Sequence, residues 1–524
     1  MLLALRRFFL ENTRELVALG VVLAAALFLR LSRLPAEIIW NGDTARDFLV
    51  ARHLWLYHEP LSIGHSAYGL RIDTPKNEGD PYGMSHYPSY YLRAMSLLWG
   101  VTGDPTRLSV VIVLYQVAGL GALYLGLRKV AGSLPALSAV TVIALSVKAI
   151  EHSLGAAIHP SLPLFFTVLT LFLYGWTTQK LRYTVSAALL CILATLIHYS
   201  FLICFIWIWA LTVWQLWQKK ERPQLIRFGA GIAGIGAALF LLLHLEIIRF
   251  YGFGPFLGTF TGQLNSGSVL LSQLFPHFMD TLMFRLRGLF PLQTTAMAAL
   301  VIGTGAFAAA GRKNTRPLLL GLLSFAFSLI FLVSLKAFNT YHYEQVVFVD
   351  YVLMVVFGLS IGLLLQEKSP ELRLGAVVVA GVVLTSLTSS WYQHPPVFLT
   401  LPISAARDQA EQLLHQSPTP LENTEFYVSS YYSWDYETPT VLYWLEVLSD
   451  KKLVKLVDVY NNIGWPEPAK QYMIASCQRF PLNPAMERNS CQVFLQHFED
   501  TGRYKLEREL FTNQYYRTYL FTID

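Results

Sequence analysis

YTVSAALLCILATLIHYSFLICFIWIWALTVWQLW, residues 183–217, is an almost unbroken apolar stretch without a single acidic or basic side chain beyond His198. One helix needs about 20 residues to cross a hydrocarbon core about 30 Å thick, so a single crossing would leave about 15 residues unexplained. Two tight antiparallel crossings use all of them, turning at His198, Tyr199 and Ser200. Working outward, apolar runs between polar breaks predict further spans near 16–34, 107–127, 133–150, 158–176, 228–248, 290–310, 317–335, 346–365 and 373–391. The fold class expected is a polytopic α-helical membrane protein of about eleven crossings. Composition agrees: 54% of the chain is hydrophobic, 14% is charged and the mean hydropathy is +0.43, against about 25% charged in an average soluble domain.

The net charge of +6 does not point to nucleic acid, because the basic residues sit in small groups between apolar runs rather than along one face. They read as topology signals. Arg128 and Lys129; Lys180 and Arg182; Lys219, Lys220, Arg222 and Arg227; Arg312, Lys313 and Arg316; and Lys368 and Arg373 fall on the side of the N-terminal Arg6, Arg7 and Arg14. Short basic loops stay cytoplasmic, so the N-terminus is expected in the cytoplasm and, after eleven crossings, the C-terminus outside.

Two regions depart from short connections. Residues 35–106 form a first outer loop that needs secondary structure of its own. In it, DTARDFLVARHLWLYH and SYYLRAMSLLWGV carry apolar positions at helical spacing, which suits helices lying along the membrane interface. Residues 392–524 read as a small α/β domain, with strand-like EFYVSSYY, KLVKLVDVY, QYMIASC and YYRTYLFTI and a helix around VLYWLEVL. The domains expected are thus 1–391, including the 35–106 loop, and 392–524. Cys191 and Cys204 lie inside apolar runs as packing groups, leaving Cys477 and Cys491 as the disulfide candidate in an oxidising compartment.

The densest polar cluster follows the first span. In IIWNGDTARDFLVARHLW (38–55), Asp43 and Asp47 are four apart with Arg46 between them, so on a helix they share one face. A solvated helix start with a local ion pair is the plain reading of the same spacing. GAGIAG at 229–234 fits a dinucleotide fingerprint, but it lies in a spanning segment and follows no strand, so close helix packing explains it and no nucleotide is assigned. His65, Glu78, Asp80 and His86 show no recognised ligand spacing, so metal and any divalent cation stay unassigned.

The Gly-Asp motif after the first span, then LYHEPLSIGHSA (56–67), then HYPSYYLRAMSLLWGVTGDP (86–105), resembles the GT-C superfamily of membrane glycosyltransferases. The likeness is to the protein O-mannosyltransferase and aminoarabinose-transferase-like branch of bacterial inner membranes. Asp43 stands at that family's first acidic position, Thr44 where it has Glu, and His86, Tyr87, Pro88, Tyr90 and Tyr91 where a proline-tyrosine motif opens the next helix. AAIHPSLPLFFTVLTLFLYGW and KAFNTYHYEQVVFVDYVL resemble two further family segments, with His342 in place of arginine in the second.

The resemblance implies transfer of a sugar from a polyprenyl-phosphate donor to a glycan, lipid or protein acceptor on the extracytoplasmic face. No cofactor is implied beyond that lipid-phosphate sugar substrate. Asp43 would be general base, Asp47 a second carboxylate, and Arg46 its orienting partner or a phosphate contact. His86, Tyr87 and Tyr90 would belong to the substrate site, with Lys336, His342, Arg285 and Arg287 the candidates for the leaving phosphate. Each of those cations reads equally as an interfacial anchor. Glu246 and Asp350 lie about one turn inside their spans, where a structural ion pair is the expected account; His244 and Arg249 are close enough to pair with Glu246. A transporter or flippase of lipid-linked sugars, or a non-catalytic glycan-binding component, are the competing functions. The first would be expected to show two related halves, which the sequence lacks.

Overall fold

The computed structural model describes residues 12–34, 38, 40, 42–58, 89–153, 161–197, 200–245, 248–249, 253, 271–289, 292–309, 315–334, 343–393, 402–429, 438–453, 470–479 and 491–524. By contacts the chain divides into two units: residues 1–32, 110–153 and 158–394, and residues 33–109, 154–157 and 395–524. The 33–109 segment groups with the C-terminal residues.

The helices in chain order are α1 (Thr13–Leu31), α2 (Gly42–Leu56), α3 (Ser89–Thr102), α4 (Pro105–Ala131), α5 (Ser133–Leu145), α6 (Val147–Ser153), α7 (Ser161–Thr178), α8 (Leu181–Ala194), α9 (Ser200–Gln218) and α10 (Arg222–Leu243). They continue with α11 (Leu271–Leu289), α12 (Leu292–Ala309), α13 (Thr315–Ser334), α14 (Tyr343–Leu364), α15 (Pro370–Gln393) and α16 (Ile403–Gln416). The 183–217 stretch divides as its length requires, α8 ending at Ala194 and α9 beginning at Ser200. Among the described residues α4, α9 and α10 are long and apolar enough to cross a membrane, and α5, α7, α8, α13 and α14 contain shorter apolar runs. The 133–150 segment is two helices rather than one, because Ser146 takes an extended conformation between them. α11 was not expected as an element of its own; Pro276 and three charged side chains in its last ten residues lower its apolar signal.

In the first unit, α14 is the central helix. Its GLSIG turn places Gly358 and Gly362 against α5: a Cβ at Gly358 would lie 2.4 Å from Ala139 Cα, and one at Gly362 2.3 Å from Pro135 Cα. Helices in lipid gain little from apolar burial, so such small-residue seams supply the packing. The GAGIAG stretch is helical within α10, and residues Arg227–Ile232 form a π-helical turn. Trp209 Nε1 donates to the Gly229 carbonyl at 2.9 Å, satisfying an oxygen that the wider turn presents sideways.

The second unit holds α2, α3, the first residues of α4, α16, α17 (Thr438–Ser449), α18 (Val493–Asp500) and a four-stranded sheet. The strands are β1 (Thr424–Ser429), β2 (Tyr472–Gln478), β3 (Tyr504–Thr512) and β4 (Tyr516–Ile523), in the order β1-β2-β4-β3. β1 and β2 are parallel, with Phe426 opposite Ile474; the other pairs are antiparallel, with Ile474 opposite Leu520. On one face Tyr427, Met473, Ala475, Tyr519 and Phe521 build a core with Phe498 of α18. On strand β2 the opposite side chain Ser476 joins Thr518 and Gln409 of α16 in a buried hydrogen-bonded triangle. Cys477 and Cys491 are bonded, with Cα atoms 5.1 Å apart. β3 was not foreseen: YKLERELFT carries its charges like a surface helix, and it is an edge strand with two register shifts, a pattern that discourages further pairing. KLVKLVDVY lies mostly outside the described residues.

Candidate active site

α2 carries the acidic motif and is enclosed on every side: all residues from Thr44 to His53 are buried. Five of them, Thr44, Arg46, Asp47, Arg52 and His53, are polar or charged, so the fold must supply partners or bear a desolvation cost of several kcal/mol per ion. Arg46 curls back on its neighbour, with Nε 3.2 Å and Nη2 3.0 Å from Asp47 Oδ1. The carboxylate is thus oriented by a buried charge-assisted contact. Asp43 lies in the first turn of this helix, where the positive end of the helix dipole favours a carboxylate; its side chain is outside the described residues.

The other end of α2 is held by α17. Glu446 Oε2 accepts from Arg52 Nη1 at 2.8 Å and lies 2.6 Å from His53 Nε2, while Glu446 Oε1 accepts from the Leu453 amide at 2.8 Å. Arg52 Nη2 also reaches the Glu446 carbonyl at 3.3 Å. Both carboxylate oxygens are therefore satisfied, which is what makes a fully buried Glu tolerable. Two indoles extend the same seam: Trp40 Nε1 donates to the Thr440 carbonyl at 3.1 Å, and Trp99 Nε1 of α3 donates to Tyr443 Oη at 3.0 Å. Burial pushes the Tyr443 hydroxyl well above the ordinary phenol range, opposed by that Trp99 donor. Sequence reasoning missed Glu446 as a site residue; the signal was a lone carboxylate in the apolar helical run VLYWLEVL.

In the first unit Arg285 Nη1 lies 3.3 Å from Asp350 Oδ2, both side chains buried. Arg285, read from the sequence as a phosphate contact, is therefore the partner of the Asp350 carboxylate. Arg30 donates to the Ala144 carbonyl at 3.1 Å, tying α1 to the end of α5. His244 contacts the Phe240 carbonyl at 2.8 Å. His86, Tyr87, Lys336, His342 and Glu246, and the side chains of Tyr90 and Arg287, lie outside the described residues, as do His65, Glu78 and Asp80. Among the described residues no three His, Cys, Asp or Glu side chains converge as a metal site.

The fold, with its apolar helices and an α/β unit that holds the acidic-motif helix, is similar to that of a solved structure. That structure is ArnT from Cupriavidus metallidurans bound to undecaprenyl phosphate, with a TM-score of 0.56 at 12% identity. The match covers 97% of this chain and 98% of that one. The oligosaccharyltransferase of Archaeoglobus fulgidus is similar to a lesser degree. Its zinc and sulfate complex matches with a TM-score of 0.45 at 12% identity over 78% of this chain and 56% of that one. AglB from the same organism, with an inhibitory peptide and a dolichol-phosphate, matches with a TM-score of 0.44 at 13% identity, over 78% and 58%. No family model and no curated sequence matches the chain.

Proposed function

We propose that the protein is a glycosyltransferase that takes a sugar from a polyprenyl-phosphate carrier and passes it to a glycan, lipid or protein acceptor outside the cytoplasm. The observation that carries this reading is the enclosure of the acidic-motif helix α2 in a fold shared end to end with ArnT, whose structure holds undecaprenyl phosphate. The reading includes about eleven crossings of a bacterial inner membrane, a cytoplasmic N-terminus and an extracytoplasmic second unit.

In this mechanism the acceptor hydroxyl attacks the anomeric carbon while the Asp43 carboxylate takes its proton. The bond between that carbon and the phosphate oxygen breaks, and its electron pair leaves with the lipid phosphate. Removal of the proton during attack is worth about 10²- to 10⁴-fold. Asp47, oriented by Arg46, keeps negative charge beside the reacting centre, where an oxocarbenium-like carbon gains positive character. Asp350 engages Arg285, so stabilisation of the leaving phosphate falls to Lys336, His342 and Arg287. Tyr87, Tyr90 and His86 contact the sugar. The clamp from Glu446 sets the axial position of α2 and hence of both carboxylates.

The test is Asp43→Asn in purified protein that still binds undecaprenyl phosphate, read by native mass spectrometry and by sugar transfer from polyprenyl-phosphate donors. Donor binding kept with transfer lowered at least 100-fold supports the assignment; full transfer by the variant overturns it. Movement of a lipid-linked sugar across proteoliposomes with no new glycosidic bond would identify a flippase instead.

A further inference from the structure

In the first unit, the α7–α8 and α9–α10 hairpins turn in the same way. Gln179 follows α7 and Lys220 follows α9, each with φ +59°. In each turn the next amide reaches back five residues: Lys180 N donates to the Gly175 carbonyl and Glu221 N to the Leu216 carbonyl, both at 3.1 Å. Such a helix cap ordinarily uses glycine, because a Cβ is disfavoured in the left-handed region. Here two long polar side chains occupy it, and the turns are tied together. Lys219 Nζ donates to Gln179 Oε1. Gln215 Nε2 donates to the Trp176 carbonyl at 3.3 Å, and Gln179 Nε2 donates to the same oxygen at 2.7 Å.

The joined turns gather Lys180, Arg182, Lys219, Lys220, Arg222 and Arg227, all exposed, around the single carboxylate of Glu221. Among the described residues none of these six cations pairs with a carboxylate, whereas Arg128 holds Glu15. The α14–α15 turn differs as well, since its Lys368 and Arg373 stand among Glu367 and Glu371. Like charges so gathered repel one another unless an outside anion neutralises them. Topology selection asks only for cations near a span; it requires neither a bridge between two turns nor a left-handed lysine. The last turn of α9 indicates which anion fits. Trp214 and Trp217, three residues apart and so on one face, are 53% and 62% exposed. α9 is long and apolar enough to cross a membrane, and both indoles lie within about 6 Å of its end along the axis. At the other turn Tyr174 and Tyr183 meet edge to face with centroids 4.7 Å apart, and Arg182 lies over the Tyr183 ring at 4.8 Å. Aromatic rings at the end of an apolar span, with cations just beyond, fit a ligand that offers an acyl chain and then a phosphate. A soluble anion or a nucleic acid would satisfy the cations and leave the indoles in water.

We propose that the paired turns bind an anionic phospholipid, with its phosphate on Lys219, Lys220 and Arg182 and its acyl chains along Trp214 and Trp217. The site requires α9 and α10 to cross a bilayer and uses none of the transferase chemistry. A lipid bound there reinforces the Lys219 to Gln179 bridge and holds the two hairpins together.

The test titrates the purified full-length protein in detergent with phosphatidylglycerol or phosphatidylcholine of matched acyl chains, read by native mass spectrometry. Wild type is expected to bind phosphatidylglycerol at least 10-fold more tightly than phosphatidylcholine. Lys219→Gln with Lys220→Gln is expected to lose at least 10-fold of that affinity. Lys368→Gln with Arg373→Gln, an equal loss of charge at the α14–α15 turn, is expected to lose less than twofold. Trp214→Ala with Trp217→Ala keeps every charge and is expected to lose at least threefold, so the site is tested even where removal of the lysines disturbs insertion. Equal losses in the two charge variants would show diffuse attraction to a basic surface and overturn the proposal. Full affinity in the tryptophan variant, or no preference for phosphatidylglycerol in wild type, would overturn it equally. Glycerol 3-phosphate binding as tightly as the lipid would show a soluble-anion site and do the same. None of these readings uses sugar transfer, so failure of the lipid site and failure of the transferase assignment are separable.

Discussion

His53 Nε2 and Glu446 Oε2 lie 2.6 Å apart, although 393 residues separate them in the chain. With Arg52 on the same oxygen, this contact makes the acidic-motif helix and the C-terminal helix α17 one structural piece. The C-terminal residues are therefore part of the scaffold of the candidate site.

Glu446→Ala is expected to lower stability by about 3–5 kcal/mol, because it strands the buried Arg52 charge and removes the acceptor for the Leu453 amide. Glu446→Gln keeps the hydrogen-bonding shape but not the charge, and is expected to fall between wild type and Ala. Thermal unfolding in detergent measures both. The double variant Arg52→Met with Glu446→Leu is expected to regain stability over either charge-stranding single variant.

The Arg285–Asp350 pair gives a second expectation. Asp350→Asn removes the carboxylate charge 3.3 Å from the buried Arg285 guanidinium and is expected to destabilise by several kcal/mol. Arg285→Met with Asp350→Leu is expected to restore folding and to keep binding of undecaprenyl phosphate in native mass spectrometry. Loss of that binding in a folded double variant would return Arg285 to the phosphate site.

Gly358→Ala is expected to abolish or severely reduce folded yield, since the new Cβ meets the α5 backbone, which has nowhere to go. Gly375→Ala on α15 has open space around it and is expected to be neutral or slightly stabilising, by up to about 1 kcal/mol. Monodispersity and melting temperature after purification compare the two.

The Cys477–Cys491 bond closes a short loop, with a sequence separation of 14. A loop of that size stabilises by about 3 kcal/mol in the chain-entropy account. Cys477→Ser with Cys491→Ser is expected to lower the melting temperature of the second unit while leaving the helical circular dichroism of the spans in place.

What the sequence determined by itself is local and periodic. The 183–217 run had to divide because its length exceeds one crossing, and α8 and α9 divide it there. The two helices of the first outer loop followed from apolar spacing, and three of the four strands from alternating β-formers. β3 escaped because charges on an edge strand imitate those on a helix face. The tertiary structure alone decided that Glu446 clamps Arg52 and His53, that Asp350 takes Arg285, and that the 33–109 segment groups with the C-terminal residues. The physical reason is that periodicity records which face of an element is apolar, whereas a buried charge needs a particular partner, and that partner is brought near by chain topology rather than by sequence proximity.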